Sequence, residues 1–407
     1  MPRPLLDGDP APPDGALPEA ALAELTSRPF GIYVHVPFCA SRCGYCDFNT
    51  YTAEELGGGA SRRTYARTAV DEILLARKVL GTADVPAATV FFGGGTPTLL
   101  PPEDLGLILR TIESEFGLLP DAEVTTEANP ESVDRASLDR LRAEGFTRIS
   151  FGMQSVRPHV LATLDRRHTP GRAQECVAEA RAAGFAHVNL DLIYGTPGES
   201  DGDWLASLDA AVAAGPDHIS AYALIVEQGT RLAARIRRGE LAAPDDDVMA
   251  DRYLQADETL RRAGFAWYEV SNWARSAADR CRHNLLYWTS GNWWGVGPGA
   301  HSHVGGVRWW NVKHPASYAA RLADGVSPAQ AREVLDAETR RTERVMLEVR
   351  LADGLDLDVL DEAGRAAAGE AAEQGLLDSD RLAAGRAVLT LRGRLLADAV
   401  VRNLLTL

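Results

Sequence analysis

The chain has 407 residues, 45% of them hydrophobic and 24% charged, a balance ordinary for a globular protein of about two or three structural units. Its 42 basic side chains stand against 57 acidic ones, a net charge of −15. That argues against a nucleic-acid backbone as the main partner, because such binding draws its affinity from basic surface.

Lys78 and Lys313 are the only lysines and neither follows a glycine, so a P-loop has no place and Schiff-base chemistry is confined to two positions. Residues 1–29 are rich in Pro, Asp and Ala with little apolar periodicity and read as a flexible lead-in. They lack the basic start and apolar run of a signal peptide. No apolar stretch approaches the ~20 residues that span a bilayer. The expected location is the cytoplasm, with peripheral membrane contact the only membrane role left open.

From Gly31 the texture changes. Short β-rich runs are expected at 32–36, 89–92, 123–127, 148–152, 188–194 and 219–223. Helical spacing fills 61–80, 103–116, 137–144 and 171–183, and glycines at 145, 184 and 264 stand where such helices end. Strands alternating with helices imply right-handed crossovers and a parallel sheet. Six units predict an α/β fold, a partial (β/α)6 TIM-like barrel over 30–225; an open doubly wound sheet is the competing arrangement. Either one gathers ligands at the C-terminal strand ends.

Beyond about residue 225 the rhythm breaks. Residues 245–264 read as one amphipathic helix, and the stretch from Trp267 to Trp310 holds seven of the eight tryptophans. The region 226–329 is expected to be an additional α+β unit. The tail, 330–407, has Leu, Ala, Arg and Asp at helical spacing, a strand-like 387–391 and a final helix, a small helical, winged-helix-like domain.

The strongest local signal is Tyr33-Val-His-Val-Pro-Phe-Cys39-Ala-Ser-Arg-Cys43-Gly-Tyr-Cys46-Asp-Phe-Asn49. A strand runs into a loop with Cys-x3-Cys-x2-Cys. Thiolates are soft donors suited to iron–sulfur or zinc. Three neighbouring ligands can hold three irons of a cubane and leave the fourth open to an amino-acid-like chelator. A zinc site would want a fourth ligand, such as His35, Cys176 or Cys281.

The triad, with an aromatic before its last cysteine, resembles the signature of the radical SAM superfamily. Tyr33, His35, Pro37 and Asp47-Phe48-Asn49 resemble the branch that holds the HemW heme chaperones and the HemN oxygen-independent coproporphyrinogen III dehydrogenases of porphyrin biosynthesis. The likeness runs from about Gly31 to the C-terminus. It implies a [4Fe–4S] cluster on Cys39, Cys43 and Cys46, with S-adenosyl-L-methionine (SAM) on the open iron.

The resemblance also assigns a SAM pocket. Gly93-Gly94-Gly95-Thr96-Pro97-Thr98 follows the second strand. Glu127 ends the third, Gln154 follows the fourth, Arg166 lies in Leu-Asp-Arg-Arg-His, and Asp191 lies on the fifth. By that likeness Tyr33, Tyr45, Gly94, Gly95, Thr96, Glu127, Gln154, Arg166 and Asp191 contact SAM, with Arg167 a neighbouring alternative to Arg166.

Cys281-Arg-His283-Asn284-Leu-Leu-Tyr287-Trp288 resembles the His-Asn-x-x-Tyr-Trp element of HemW proteins, which implies heme as a ligand and His283 as its axial ligand. Cys281 is a rival ligand, and His301 is expected to line the pocket near the cluster. His, Tyr and Trp gathered in one stretch suggest a flat, apolar cavity there.

Two functions follow from the likeness. One is a heme carrier that passes heme to an acceptor apoprotein; the other is a radical enzyme that decarboxylates porphyrin propionates. Phe48 stands where the enzyme branch carries a further cysteine, and the Pro-rich lead-in lacks that branch's ordered N-terminal segment, so the carrier is favoured. A radical enzyme acting on RNA is a third class, disfavoured by the acidic balance.

Overall fold

The structure is a computed structural model and describes residues 8–56, 61–166 and 169–405. Its centre is six parallel strands, β2 (Phe30–Val36), β3 (Ala87–Gly94), β4 (Leu118–Ala128), β5 (Arg148–Gln154), β6 (His187–Tyr194) and β7 (His218–Ala223). They pair in the order β2-β3-β4-β5-β6-β7. A doubly wound sheet reverses its strand order at a switch point. Here the order never reverses, so every crossover advances the same way and the sheet curls as an incomplete barrel.

Side-chain alternation explains why these strands form that layer. Val34, Val36, Val90, Phe92, Val124, Ile149, Phe151, Val188, Leu190 and Ile219 are buried in one apolar cluster with the helices. Those helices include α2 (Arg62–Leu80), α3 (Pro102–Phe116), α4 (Arg135–Ala143), α6 (Arg172–Ala183) and α7 (Asp201–Ala214), with the short α5 (Pro158–Thr163) between α4 and α6 and α1 (Glu19–Ala23) before them. The intervening positions are polar: Thr89, Glu123, Arg148, Ser150, Asn189, Asp191, His218 and Ser220. With a period of two, apolar residues face the helices and polar ones face the barrel interior. Inside, those polar groups satisfy one another. Asn189 donates to Ser150 at 2.6 Å, Ser150 donates to Asp191 at 2.7 Å, and the Asn189 amide oxygen meets His218 Nδ1 at 2.6 Å.

The chain then extends the sheet on both sides. After α8 (Arg231–Arg237) and α9 (Asp246–Arg262), β8 (Ala266–Glu269) and β9 (Asn272–Ala274) form a hairpin, and β9 pairs antiparallel with β7. The seven-residue helix α10 (Arg282–Trp288) follows. Then β10 (Asn292–Val296) pairs parallel with β2, and β11 (His301–Val304), β12 (Val307–Asn311) and β13 (Ala329–Val334) continue antiparallel. Among the described residues this sheet has thirteen strands, the N-terminal one included.

The lead-in is a correction. Residues 8–29, read as flexible, lie against the sheet: β1 (Asp9–Pro10) pairs with β13, and Ala21 and Leu25 are buried. Two apolar side chains and one strand pairing are enough to fix a Pro-rich segment. The strand-like 387–391 is a second correction. Only Arg386–Ala387 is strand, and Leu391–Leu395 is helical, started by a Thr390 hydroxyl that accepts from the Gly393 amide.

The C-terminal residues pack a core of their own, including Val345, Leu355, Leu377, Leu389 and Val400. Arg394 ties this unit to the barrel, 2.9 Å from Asp257 and stacked over Trp267 at 3.8 Å.

Candidate functional site

The cysteine loop leaves β2 and is closed at its neck. The Cys39 amide donates to the Tyr51 carbonyl at 3.0 Å and the Tyr51 amide to the Pro37 carbonyl at 2.7 Å. Its tip is pinned at Gly44, whose amide donates to Leu164 and whose carbonyl accepts from Leu232. Cys39, Cys43 and Cys46 are free thiols, partly exposed, and all three border one cavity of about 440 Å³. Burial pushes the Cys46 thiol up to about 11 and raises that of Cys39, so the metal-free loop keeps protons that a metal would displace.

That cavity lies at the C-terminal ends of the parallel strands. Tyr45, Gly94, Gly95, Thr96, Glu127, Gln154, Arg166 and Asp191 line it together with the three cysteines. Arg166 donates to the Gly152 carbonyl at 3.0 Å and comes within 3.6 Å of Cys43 Sγ. Arg167 lies outside the described residues. Gln154 holds a left-handed backbone, φ 63°, at the end of β5, the kind of strained conformation that persists where surroundings over-determine it.

Glu127 and Asp191 face this space without an ion pair to either among the described residues. Burial and the nearby Asp191 charge push the Glu127 carboxyl up to about 8, against the Gly94 amide that donates to it at 3.0 Å. Burial likewise raises Asp191, which Ser150 and Asn189 partly offset. Two carboxylates confined in one cavity repel each other, and a cationic ligand group relieves both. Buried polar atoms at the same place, Gln154 Oε1 and Arg166 Nε, have no hydrogen-bond partner among the described residues. Three soft donors on one rim, two uncompensated carboxylates and these unpaired atoms fit a cluster carrying an amino-acid chelator.

Tyr33 is placed elsewhere. Its ring lies below the cavity and its hydroxyl donates to His35 Nδ1 at 2.9 Å. His35 Nε2 in turn donates to the Asn49 carbonyl at 2.9 Å. A carbonyl only accepts, so the His35 proton sits on Nε2. A Cβ on Gly94 would lie 2.6 Å from the His35 ring, which is why glycine stands there with φ 109°. The sequence offers His35 as a possible fourth zinc ligand and Asn49 as part of the family resemblance, and it does not show that the two are partners. The signal available was the two-residue step from Tyr33 to His35, which puts both rings inside the barrel.

The histidine region also sits differently from the expectation. His283 is buried at the opposite, N-terminal end of the barrel. Its Nδ1 lies 2.8 Å from Thr89 Oγ1, its Nε2 lies 2.8 Å from Tyr287 Oη, and burial lowers its pKa to about 3. The backbone amides of Arg282 and His283 donate to Glu123 at 3.2 and 3.1 Å, and Arg148 donates to the Asp279 carbonyl at 2.9 Å. Asp279 also meets His187 at 3.0 Å. Residues 279–288 therefore span the barrel floor and contact the starts of β4, β5 and β6.

In this conformation both His283 nitrogens are engaged and neither can reach a heme iron. Cys281 is buried beside Glu123, and burial raises its thiol. His301 stacks on Trp310 with centroids 5.9 Å apart and lines neither this cavity nor the larger one beside it. The tryptophan-rich stretch makes sheet rather than cavity wall: Trp273, Trp294, Trp309 and Trp310 are buried.

A second cavity, about 1500 Å³, opens on the outer side of the cysteine loop, with Arg42, Phe48, Asp165 and Arg231 among its lining. Phe48, Tyr222 and Ile225 are 59%, 42% and 66% exposed and stand around the smaller cavity.

An incomplete parallel barrel with three loop cysteines at its C-terminal mouth defines a radical SAM protein, and residues 33–211 match the family described as the Radical SAM superfamily. The chain is 57% identical to the heme chaperone HemW of Mycobacterium tuberculosis, across 94% of this chain and 97% of that one. It is 30% identical to the heme chaperone HemW of Bacillus subtilis, across 90% and 97%. Its fold matches the Escherichia coli coproporphyrinogen III oxidase HemN, a radical SAM enzyme, with a TM-score of 0.80 at 22% identity, across 96% and 94% of the two chains. The chain belongs to the HemW family of the radical SAM superfamily. Membership implies SAM and a [4Fe–4S] cluster.

Proposed function

We propose that this protein is a heme carrier, which binds heme beside a SAM-liganded [4Fe–4S] cluster and hands the heme to an acceptor apoprotein. The observation that carries the reading is the cysteine triad on the rim of a cavity whose two carboxylates have no ion pair among the described residues, in a chain 57% identical to a heme chaperone. Cys39, Cys43 and Cys46 hold the cluster. Glu127 faces the SAM ammonium across the Gly94–Thr96 turn, Asp191 and Gln154 take polar groups farther in, Tyr45 closes the wall, and Arg166 holds the loop at Cys43. Tyr33 acts from below the pocket. When bound, the cluster and SAM supply redox and radical chemistry or a redox-dependent switch.

Phe48, Tyr222 and Ile225 support the heme part of the reading, because they leave apolar surface around the mouth that suits a porphyrin face. Arg42 and Arg231 in the adjoining cavity suit its propionates. With both ring nitrogens engaged by Thr89 and Tyr287, His283 is not the axial ligand on this reading, and the heme takes its ligand elsewhere. The protein on this reading is cytoplasmic, with apoproteins and not nucleic acid as partners. No helix among the described residues is long and apolar enough to cross a membrane.

The alternative is the porphyrin-decarboxylating enzyme. Cluster-loaded protein supplied with coproporphyrinogen III, SAM and a reductant is expected to yield no protoporphyrinogen, while it binds heme and releases it to an apo-hemoprotein. Sustained turnover would replace the carrier with the enzyme.

A further inference from the structure

The floor of the barrel and its cluster-side mouth are joined by side chains that the SAM pocket itself does not use. At the bottom, Thr89 and Tyr287 engage the two nitrogens of the His283 ring and so fix its plane. That plane lies against Phe91, centroids 5.1 Å apart and inclined by 22°, and against Tyr33 at 6.3 Å and 29°. The approach is close: a Cβ on Gly31 would lie 2.6 Å from Thr89 Oγ1 and 3.5 Å from the His283 ring.

One layer higher, Tyr33 donates to His35, and His35 holds the Asn49 carbonyl. Asn49 lies three residues beyond Cys46, and its amide donates to the Pro298 and Lys313 carbonyls at 2.9 and 2.8 Å. The His35 ring also abuts Gly94, and the Phe91 ring abuts Gly93, where an added Cβ would come within 2.9 Å of it. The stack thus meets both halves of the pocket, the cluster loop and the glycine turn.

We propose that His283 is a positioning residue for the cluster loop and SAM pocket, acting from the barrel floor through Phe91 and Tyr33 to His35. A floor residue needed only for filling would be apolar. An imidazole buried without charge costs stability unless both nitrogens are partnered, and here two hydroxyls are aligned for that purpose. Removing the imidazole frees the Tyr33 ring to shift, and His35 carries that shift to Asn49 and Gly94. The inference rests on the assignment of SAM and the cluster to that pocket.

The test uses the full chain, anaerobically loaded with its cluster, and reads SAM affinity, the EPR spectrum of the reduced cluster with SAM, and the Soret band of added heme. His283→Ala is expected to keep its iron, weaken SAM about 5- to 10-fold, the size of one lost buried hydrogen bond, and alter the EPR line shape. The Soret maximum stays where it was. Thr89→Val, nearly isosteric and remote from the pocket, is expected to move SAM affinity the same way by about 2- to 3-fold, and it carries the test if His283→Ala does not fold. His283→Gln, which keeps a donor and an acceptor, recovers part of the loss. Wild-type SAM affinity and EPR in both His283→Ala and Thr89→Val, or a lost Soret band with SAM binding intact, would overturn the inference. A wild-type chain that holds iron and no SAM would instead sink the pocket assignment, and this inference with it.

Discussion

The imidazole of His283 and the ring of Phe91 lie nearly parallel, their centroids 5.1 Å apart, inside the lower half of the barrel. Burial keeps that imidazole uncharged, lowering the His283 pKa to about 3 and that of His35 to about 4. In the unfolded chain a histidine titrates near about 6.5. The folded values are depressed, so the unfolded state binds more protons between those limits. The stability these rings contribute is complete above about pH 6.5 and is lost as pH falls toward 4 and 3. Urea unfolding between about pH 7 and pH 5 is expected to show stability falling with acid, with a shallower slope in His283→Gln. A slope unchanged by the substitution would mean that the ring titrates normally.

Glu127 gives a prediction about protons rather than affinity alone. With the pocket empty, burial and Asp191 push its carboxyl up to about 8, so it is largely protonated at neutral pH. An ammonium group favours the ionised form, and SAM binding is therefore expected to release a proton near pH 7. Calorimetry in buffers of different ionisation heat detects that release. Glu127→Gln is expected to abolish it and to weaken SAM about tenfold or more. Equal proton release in wild type and variant would remove Glu127 from the site.

A third prediction concerns the buried pair Arg252–Glu199, 3.0 Å apart, in which the Glu199 side chain is fully buried and also accepts from the Gly195 amide. Removing one member leaves an uncompensated buried charge, so Arg252→Met is expected to cost about 3–5 kcal/mol. The double substitution Arg252→Met with Glu199→Gln is expected to recover much of it. Denaturant midpoints check both, and a single variant as stable as wild type would show that solvent reaches Glu199.

Much of this architecture is legible in the sequence, because the barrel strands follow a simple rule. The runs expected at 148–152 and 188–194 are β5 (Arg148–Gln154) and β6 (His187–Tyr194), and the helix expected at 61–80 is α2 (Arg62–Leu80). Alternation of outward Val, Ile and Phe with inward Ser, Asn and Asp carries that information. The lining of the cavity was legible for a related reason: Gly94, Glu127 and Gln154 stand at strand ends and Asp191 faces inward from β6, and a barrel brings such positions together. Where His283 lies was not. A histidine among aromatics looks the same in sequence whether it lines a cavity or closes a barrel floor. The choice is made by Glu123, 160 positions away, which accepts the His283 backbone amide. The direction of the Tyr33 hydroxyl was not legible either. It meets His35, which the two-residue step along β2 puts on the same face, and the sequence does not say whether the hydroxyl turns to that ring or to the pocket.

The most direct measurement is the metal content and EPR spectrum of the air-free reconstituted protein, alone and with SAM. The account predicts about four irons per chain, a reduced-cluster signal that changes when SAM is added, and the loss of both in a chain with Cys39, Cys43 and Cys46 changed to Ala. Zinc or no metal in the loop, or a full iron load in that triple variant, would contradict it.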